Sequence, residues 1–145
     1  MLIYSGNDAA WALSEGTENF VGKMNQKAND LGLENTSFVN PTGLDPEGLK
    51  FNPENLNYFS HSTAKDLVRL AQYILREHPL IFEISAQDSN PPITQKIKDG
   101  IFDLFLTQEV IGGKTGYTDE AGGCILFIFK DEGGSIFIMP WRRTG

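Results

Sequence analysis

Two short stretches of this sequence put reactive groups where chemistry could use them. Ile111-Gly112-Gly113-Lys114-Thr115-Gly116-Tyr117-Thr118 joins a lysine, a hydroxyl and a run of glycines. Without a Cβ, glycine lets a ligand lie against bare backbone, here beside one fixed positive charge and one hydroxyl donor. Phosphate binding and capture of a peptide carboxylate both fit that description. Spacing counts against phosphate. A P-loop needs a glycine where this chain has Gln108, and it opens a helix, whereas Lys114 leads toward strands. The second stretch, Ser5-Gly6-Asn7, lies far upstream, on the turn into a predicted helix.

Composition bounds what these residues can serve. At 145 residues the chain suits one domain with a real core. A net charge of −7 and a pI near 4.7 leave no basic face for nucleic acid. The single cysteine, Cys124, excludes an internal disulfide and a multi-cysteine metal site. Its apolar neighbours predict a buried small side chain. No metal or other cofactor is expected. No stretch approaches the roughly 20 apolar residues that span a bilayer. Met1 to Asn7 lacks the basic start and long apolar region of a signal peptide.

The elements that must position the two stretches follow in order. Asp8 to Leu13 reads as a helix with Asp8 near its start. Thr17 is placed to cap a second helix, with Glu18 in its first turn. Phe20, Met24, Ala28 and Leu31 share one face of that helix until Gly32 stops it. From Gly32 to about Tyr58, Asn-Pro, Asp-Pro and Pro-x-Gly signals predict a long ordered loop, pinned by Phe38, Val39, Leu44, Leu49 and Phe51. A third helix runs from Thr63 to about Glu77, where Leu67, Leu70, Ala71, Ile74 and Leu75 form a stripe. Thr63 and Asp66 resemble a capping box. Leu80 to Ala86 forms another short helix, and Asp88 to Asp99 reads as a loop or edge strand. Gly122 to Phe129 and Ser135 to Met139 flank a charged glycine turn and predict a β-hairpin. Their continuous apolarity implies cover on both faces, supplied by the helices. Helices first and strands last point to an α+β or layered α/β arrangement.

Ser-x-Asn and Lys-Thr-Gly, in this order, are two of the three motifs of the active-site serine penicillin-recognising enzymes. The chain resembles the D-alanyl-D-alanine carboxypeptidases, the low-molecular-weight penicillin-binding proteins. The likeness runs through Ser5-Gly6-Asn7-Asp8-Ala9-Ala10, Met24-Asn25, Leu31-Gly32-Leu33, Asn40-Pro41, Gly43-Leu44, Ser62-Thr63-Ala64-Lys65-Asp66-Leu67 and Gly113 to Thr118 with Ala121-Gly122. It implies a β-lactamase/transpeptidase-like fold, with a helical cluster packed on an antiparallel sheet. Residues 1–145 are then a single partial catalytic domain, without the nucleophile segment and the final strand and helix.

The resemblance also implies acyl transfer. A serine attacks the penultimate D-Ala carbonyl of a peptidoglycan stem peptide, the terminal D-Ala leaves, and water hydrolyses the acyl-enzyme. By motif, Ser5 passes a proton to the leaving amine, and Asn7 bonds the substrate amide and steadies the catalytic lysine. Lys114 supplies positive potential and orients Ser5. Thr115 binds the terminal carboxylate, Gly116 admits the substrate backbone, and the Tyr117 N–H is an oxyanion donor. Lys98 stands near the place of a carboxylate-binding arginine, whose bidentate grip lysine cannot reproduce. β-Lactams are implied ligands of the complete protein, and an extracytoplasmic location follows from the substrate.

The family's Ser-x-x-Lys nucleophile precedes Ser-x-Asn, and here only Met1 to Tyr4 do so. The one Ser-x-x-Lys, Ser62-Thr63-Ala64-Lys65, is read as a helix start, so the chain alone is expected to be inactive. Two alternatives stand beside the carboxypeptidase. One is a non-catalytic homologue that binds stem peptides or a partner protein through the Lys-Thr-Gly strand. The other is a β-lactamase-like enzyme, whose deacylating acid would come from the long loop. Asp45, Glu47 and Glu54 there are read as solvated, and His61 and His78 as surface or helix-end residues.

Overall fold

The computed structural model describes residues 1–86, 109–133 and 136–143. Four helices, α1 Asn7–Glu15, α2 Phe20–Asp30, α3 Ala64–Glu77 and α4 Leu80–Ala86, precede three strands, β1 Glu109–Thr118, β2 Gly122–Lys130 and β3 Ile136–Arg143. The strands form one antiparallel sheet in the order β1-β2-β3. Helices thus pack against an antiparallel sheet, the α+β arrangement expected from the sequence. Lys98 and the predicted loop or edge strand from Asp88 to Asp99 lie outside the described residues.

The core joins α3 and α4 to the sheet. Ala71, Phe82 and Ile128 are buried together, with Ile74, Leu75, Ile111, Leu126 and Ile138 packed around them. Side chains alternate across a strand, so Leu126 and Ile128 face the helices while Phe127 and Phe129 face away. Phe127 and Phe129 are buried as well. Phe129 stacks on Phe137 across the β2–β3 pair, with ring centroids 5.1 Å apart. The unbroken apolar run of β2 therefore reflects burial on both faces at residues 127–129.

Local chemistry sets most element ends, and it corrects several expectations. Helix α2 starts later than predicted. The Thr17 N–H closes the turn after α1 on the Ser14 carbonyl, and Asn19 takes the N-cap at φ 53° without a side-chain cap bond. Asparagine tolerates this left-handed backbone better than most residues. Its side chain lies over Gly22, where a Cβ would come within 2.3 Å of it. Helix α3 starts as expected, with Thr63 Oγ1 accepting from the Asp66 N–H at 3.2 Å. The box is only half built, because the Asp66 carboxylate turns to the loop. Its Oδ2 accepts from the Asn35 N–H and the Thr36 hydroxyl, both at 2.9 Å.

The long loop is held by polar contacts as well as by apolar side chains. Asn25 of α2 makes paired bonds to the Phe38 backbone, and the Val39 N–H donates to Ser60 Oγ. Of the expected apolar pins, Phe38, Val39 and Leu49 are half-buried, whereas Leu44 and Phe51 remain 47% and 46% exposed. A short 3-10 helix, Pro53–Tyr58, was not foreseen; Asn52 and Asn55 cap it reciprocally. Strand β3 also runs past Met139 through Trp141, Arg142 and Arg143, pairing with Ile125, Cys124 and Gly123. Pro140 can sit in it because the far side of β3 carries no partner strand among the described residues.

Asp66 is 1% exposed and accepts from two donors of the loop. Asp66→Ala is expected to lower unfolding free energy by about 1–3 kcal/mol in all, read by urea denaturation. An unchanged midpoint would refute this role.

Candidate active site

Strand β1 owes its position to α4. Gly112 lies flat against Phe82, so closely that a Cβ at Gly112 would come within 2.5 Å of the Phe82 Cβ. The neighbouring Gly113 N–H donates to Ser85 Oγ at 3.0 Å, and Ser85 in turn donates to the Phe82 carbonyl. The β1–β2 register shifts between Val110 and Gly112, the irregularity at which the strand meets this helix. Gly112 and Gly113 therefore serve packing rather than ligand approach, which corrects the reading of the whole glycine run as a binding surface. Gly116 differs, since a Cβ there would meet nothing within 4 Å.

Beyond Gly113 the strand turns functional groups into a cleft of about 530 Å³. Ser5 and Asn7 line one side, and Lys114, Thr115, Gly116 and Tyr117 line another. Ser5 sits at φ 57° on the turn into α1, a strained backbone for a residue with a Cβ. Lys114 Nζ donates to Ser5 Oγ at 2.5 Å and to the Thr115 carbonyl at 2.6 Å. The two predicted stretches, 109 positions apart in sequence, thus meet through one hydrogen bond. Asn7 opens α1 with its side chain exposed, and Tyr117 pairs with Gly123 while its ring is 72% exposed.

The third side of the cleft is the long loop, through Pro41, Thr42, Gly43 and Leu44. Asn40 shapes this segment. Its Oδ1 accepts from the Thr42 N–H and hydroxyl and from the Gly43 N–H, while its amide donates to the Leu44 carbonyl. Gly43 adopts φ 78°, which suits glycine. Sequence reasoning left Asn40 and Thr42 without a role. The Asn-Pro-x-Gly spacing was the signal available for them, and it marked a turn without revealing what the turn enclosed.

Other expectations resolve plainly. Cys124 is half-buried and lines the cleft, with its Sγ near the Ala121 carbonyl at 3.8 Å, rather than being a core residue. Ser62 does not line the cleft. It lies just before the Thr63 cap, its hydroxyl 2.8 Å from Thr36 Oγ1, which fits the helix-start reading. His61 bonds the Phe59 carbonyl and pairs with Ser37, and His78 ends α3 against Tyr73. Glu77, exposed at the end of α3, is held below the usual carboxylate range by the hydrogen bond and charge of Arg76. It has no part in the cleft. Asp45 is half-buried and bonded rather than solvated, whereas Glu47 and Glu54 are exposed. No group of three potential metal ligands occurs among the described residues.

The fold is that of the penicillin-binding proteins and D-alanyl-D-alanine carboxypeptidases. A D-alanyl-D-alanine carboxypeptidase from Mycobacterium tuberculosis superposes with a TM-score of 0.72 at 27% identity, over 99% of this chain and 54% of that one. Penicillin-binding protein 5 from Haemophilus influenzae gives 0.74 at 28% identity, over 97% and 39%. The chain belongs to the D-alanyl-D-alanine carboxypeptidase family, whose model matches residues 1–136. It is 38% identical over 135 residues to the carboxypeptidase DacF of Bacillus subtilis, covering 85% of this chain and 31% of that protein. To DacA of Escherichia coli it is 35% identical over 127 residues, covering 83% and 28%. The chain thus spans about a third of the length of these curated relatives.

The two kinds of glycine can be separated by substitution. Gly112→Ala overpacks the Phe82 contact and is expected to cost about 1–3 kcal/mol of stability, read by denaturant midpoint. Gly116→Ala is expected to leave the midpoint within about 0.5 kcal/mol. Equal losses at both positions would contradict the assignment.

Proposed function

We propose that this chain carries the proton-transfer and carboxylate-binding walls of a serine D-Ala-D-Ala carboxypeptidase site. The observation behind this reading is the Lys114–Ser5 hydrogen bond across the cleft. A cation fixed beside a hydroxyl, next to the Thr115 side chain and the open backbone at Gly116, suits a peptide ending in a carboxylate. In this scheme the carboxylate of a peptidoglycan stem peptide binds at Thr115 under the field of Lys114. Lys98 is assigned a supporting part from sequence alone. The substrate backbone runs along Gly116, and Asn7 bonds its amide.

A nucleophilic serine adds to the penultimate D-Ala carbonyl, and the oxyanion is met by the Tyr117 N–H. As the tetrahedral intermediate collapses, the C–N bond breaks and the proton given up by the attacking serine passes through Ser5 to the leaving D-Ala amine. Water then cleaves the ester and restores the serine. In this reading the pair Ser62 and Lys65 is not that nucleophile, and the position of Ser62 supports it: it lies beside Thr36 at the start of α3 and does not line the cleft. Ser5, Asn7 and Lys114 therefore orient and transfer protons, and acyl transfer requires a nucleophile beside them. Such a substrate places the protein on the outer side of the cytoplasmic membrane. No helix among the described residues is long and apolar enough to cross a membrane.

The non-catalytic alternative, peptide or partner binding along β1, draws on the open approach at Gly116. Two measurements decide. A fluorescent penicillin is expected to leave this chain unlabelled, and stable labelling lost in Ser62→Ala would overturn the assignment of Ser62. An N-acylated D-Ala-D-Ala peptide is expected to shift the amide resonances of Lys114 to Thr118. A flat NMR titration would sink carboxylate capture in either reading.

A further inference from the structure

The loop that walls the cleft is anchored at its upstream end by Asn25 and Ser60, through Phe38 and Val39. Downstream, the 3-10 helix fixes it from Asn52 onward. Between these anchors, residues 40–51 bond chiefly to themselves, through the Asn40 turn and a Leu49 N–H to Pro46 carbonyl bond. Two hydrogen bonds between this span and the β1–β2 turn involve Glu120. Its Oε2 accepts from the Phe51 N–H at 3.1 Å, across 69 positions of sequence. Its own N–H donates to Asp45 Oδ2 at 3.4 Å.

Asp45 and Glu120 line a second depression, of about 520 Å³, which shares Leu44, Tyr117 and Thr118 with the cleft. Leu44 is the last wall residue of the cleft, and Asp45 is next in the chain. A bond at Asp45 therefore acts one residue from the wall itself. Phe51 is held at the same time by the edge of Phe59, with ring centroids 5.6 Å apart. We infer that Glu120 is a positioning residue, a strap that holds the 40–51 loop against the hairpin and so fixes the Pro41–Leu44 wall of the cleft.

The physical reason is loop entropy. Twelve residues fixed only at their ends sample many conformations, and a ligand that needs one of them binds in proportion to its population. With the strap made, the wall is already in place when a peptide arrives. The carboxylate suits the task because a charged acceptor strengthens an N–H bond. The role in ligand binding rests on the function proposed above, whereas the strap itself does not.

The test compares Glu120→Ala and Glu120→Gln with the unaltered chain, by amide hydrogen exchange and by titration with an N-acylated D-Ala-D-Ala peptide. Glu120→Ala keeps the backbone bond to Asp45 and removes only the carboxylate, so the Phe51 amide is expected to exchange roughly tenfold faster and the peptide to bind about two- to tenfold more weakly, the range one hydrogen bond commands. The resonances shifted by the peptide are expected to stay those of Lys114 to Thr118, because the strap touches none of their side chains. Glu120→Gln keeps an oxygen within reach of Phe51 and is expected to restore most of both losses. Unchanged Phe51 exchange in Glu120→Ala would overturn the strap. Should the unaltered chain give no peptide shifts, the carboxylate site fails, yet Phe51 exchange still decides the strap.

Discussion

The contact between α4 and β1 is the constraint on which the candidate site depends. Phe82 occupies the space that any side chain at Gly112 would need, and Ser85 takes the N–H that Gly113 offers. Together they fix where β1 lies and where its regular pairing with β2 resumes. Every group that β1 gives the cleft follows from that placement. A strand displaced by one residue would turn its side chains to the opposite face. Lys114 would then leave Ser5, and the cleft would lose its positive side.

Against this fixed strand the other two sides are held by polar contacts rather than by bulk packing. The turn into α1 carries Ser5 in a left-handed backbone and contributes only Ala10 and Ser14 to the buried residues of its helix. The long loop is clamped by the Asn25 amide, shaped by Asn40 and strapped by Glu120. Directional bonds of this kind set position more sharply than apolar contacts do, and each is worth only about 0.5–1.5 kcal/mol.

The sequence was most legible where short-range chemistry decides structure. The stripe from Leu67 to Leu75, the cap at Thr63, the stop at Gly32 and the hairpin around Lys130 to Gly134 each follow from local rules. The folded chain shows the helices and strands that those rules require. It was less legible where a residue serves two partners. Asp66 looked like one half of a capping box, and its carboxylate was taken by Asn35 and Thr36, about 30 positions away. Thr17 looked like a cap and instead closed the preceding turn. In each case a local preference lost to a partner that folding brought near.

The candidate site divides in the same way. Sequence by itself determined which residue types stand at Ser5, Asn7 and Lys114 to Tyr117, and their motifs carried the resemblance to the family that residues 1–136 match. Only the tertiary structure decided which glycines serve packing and which leaves an open approach, because that depends on whether a helix lies opposite. It also decided that Cys124 lines the cleft and Ser62 does not, and that Glu120 reaches Phe51. Spacing along a chain fixes which face of an element a residue occupies. What that face meets is set by long-range packing, which no local pattern contains.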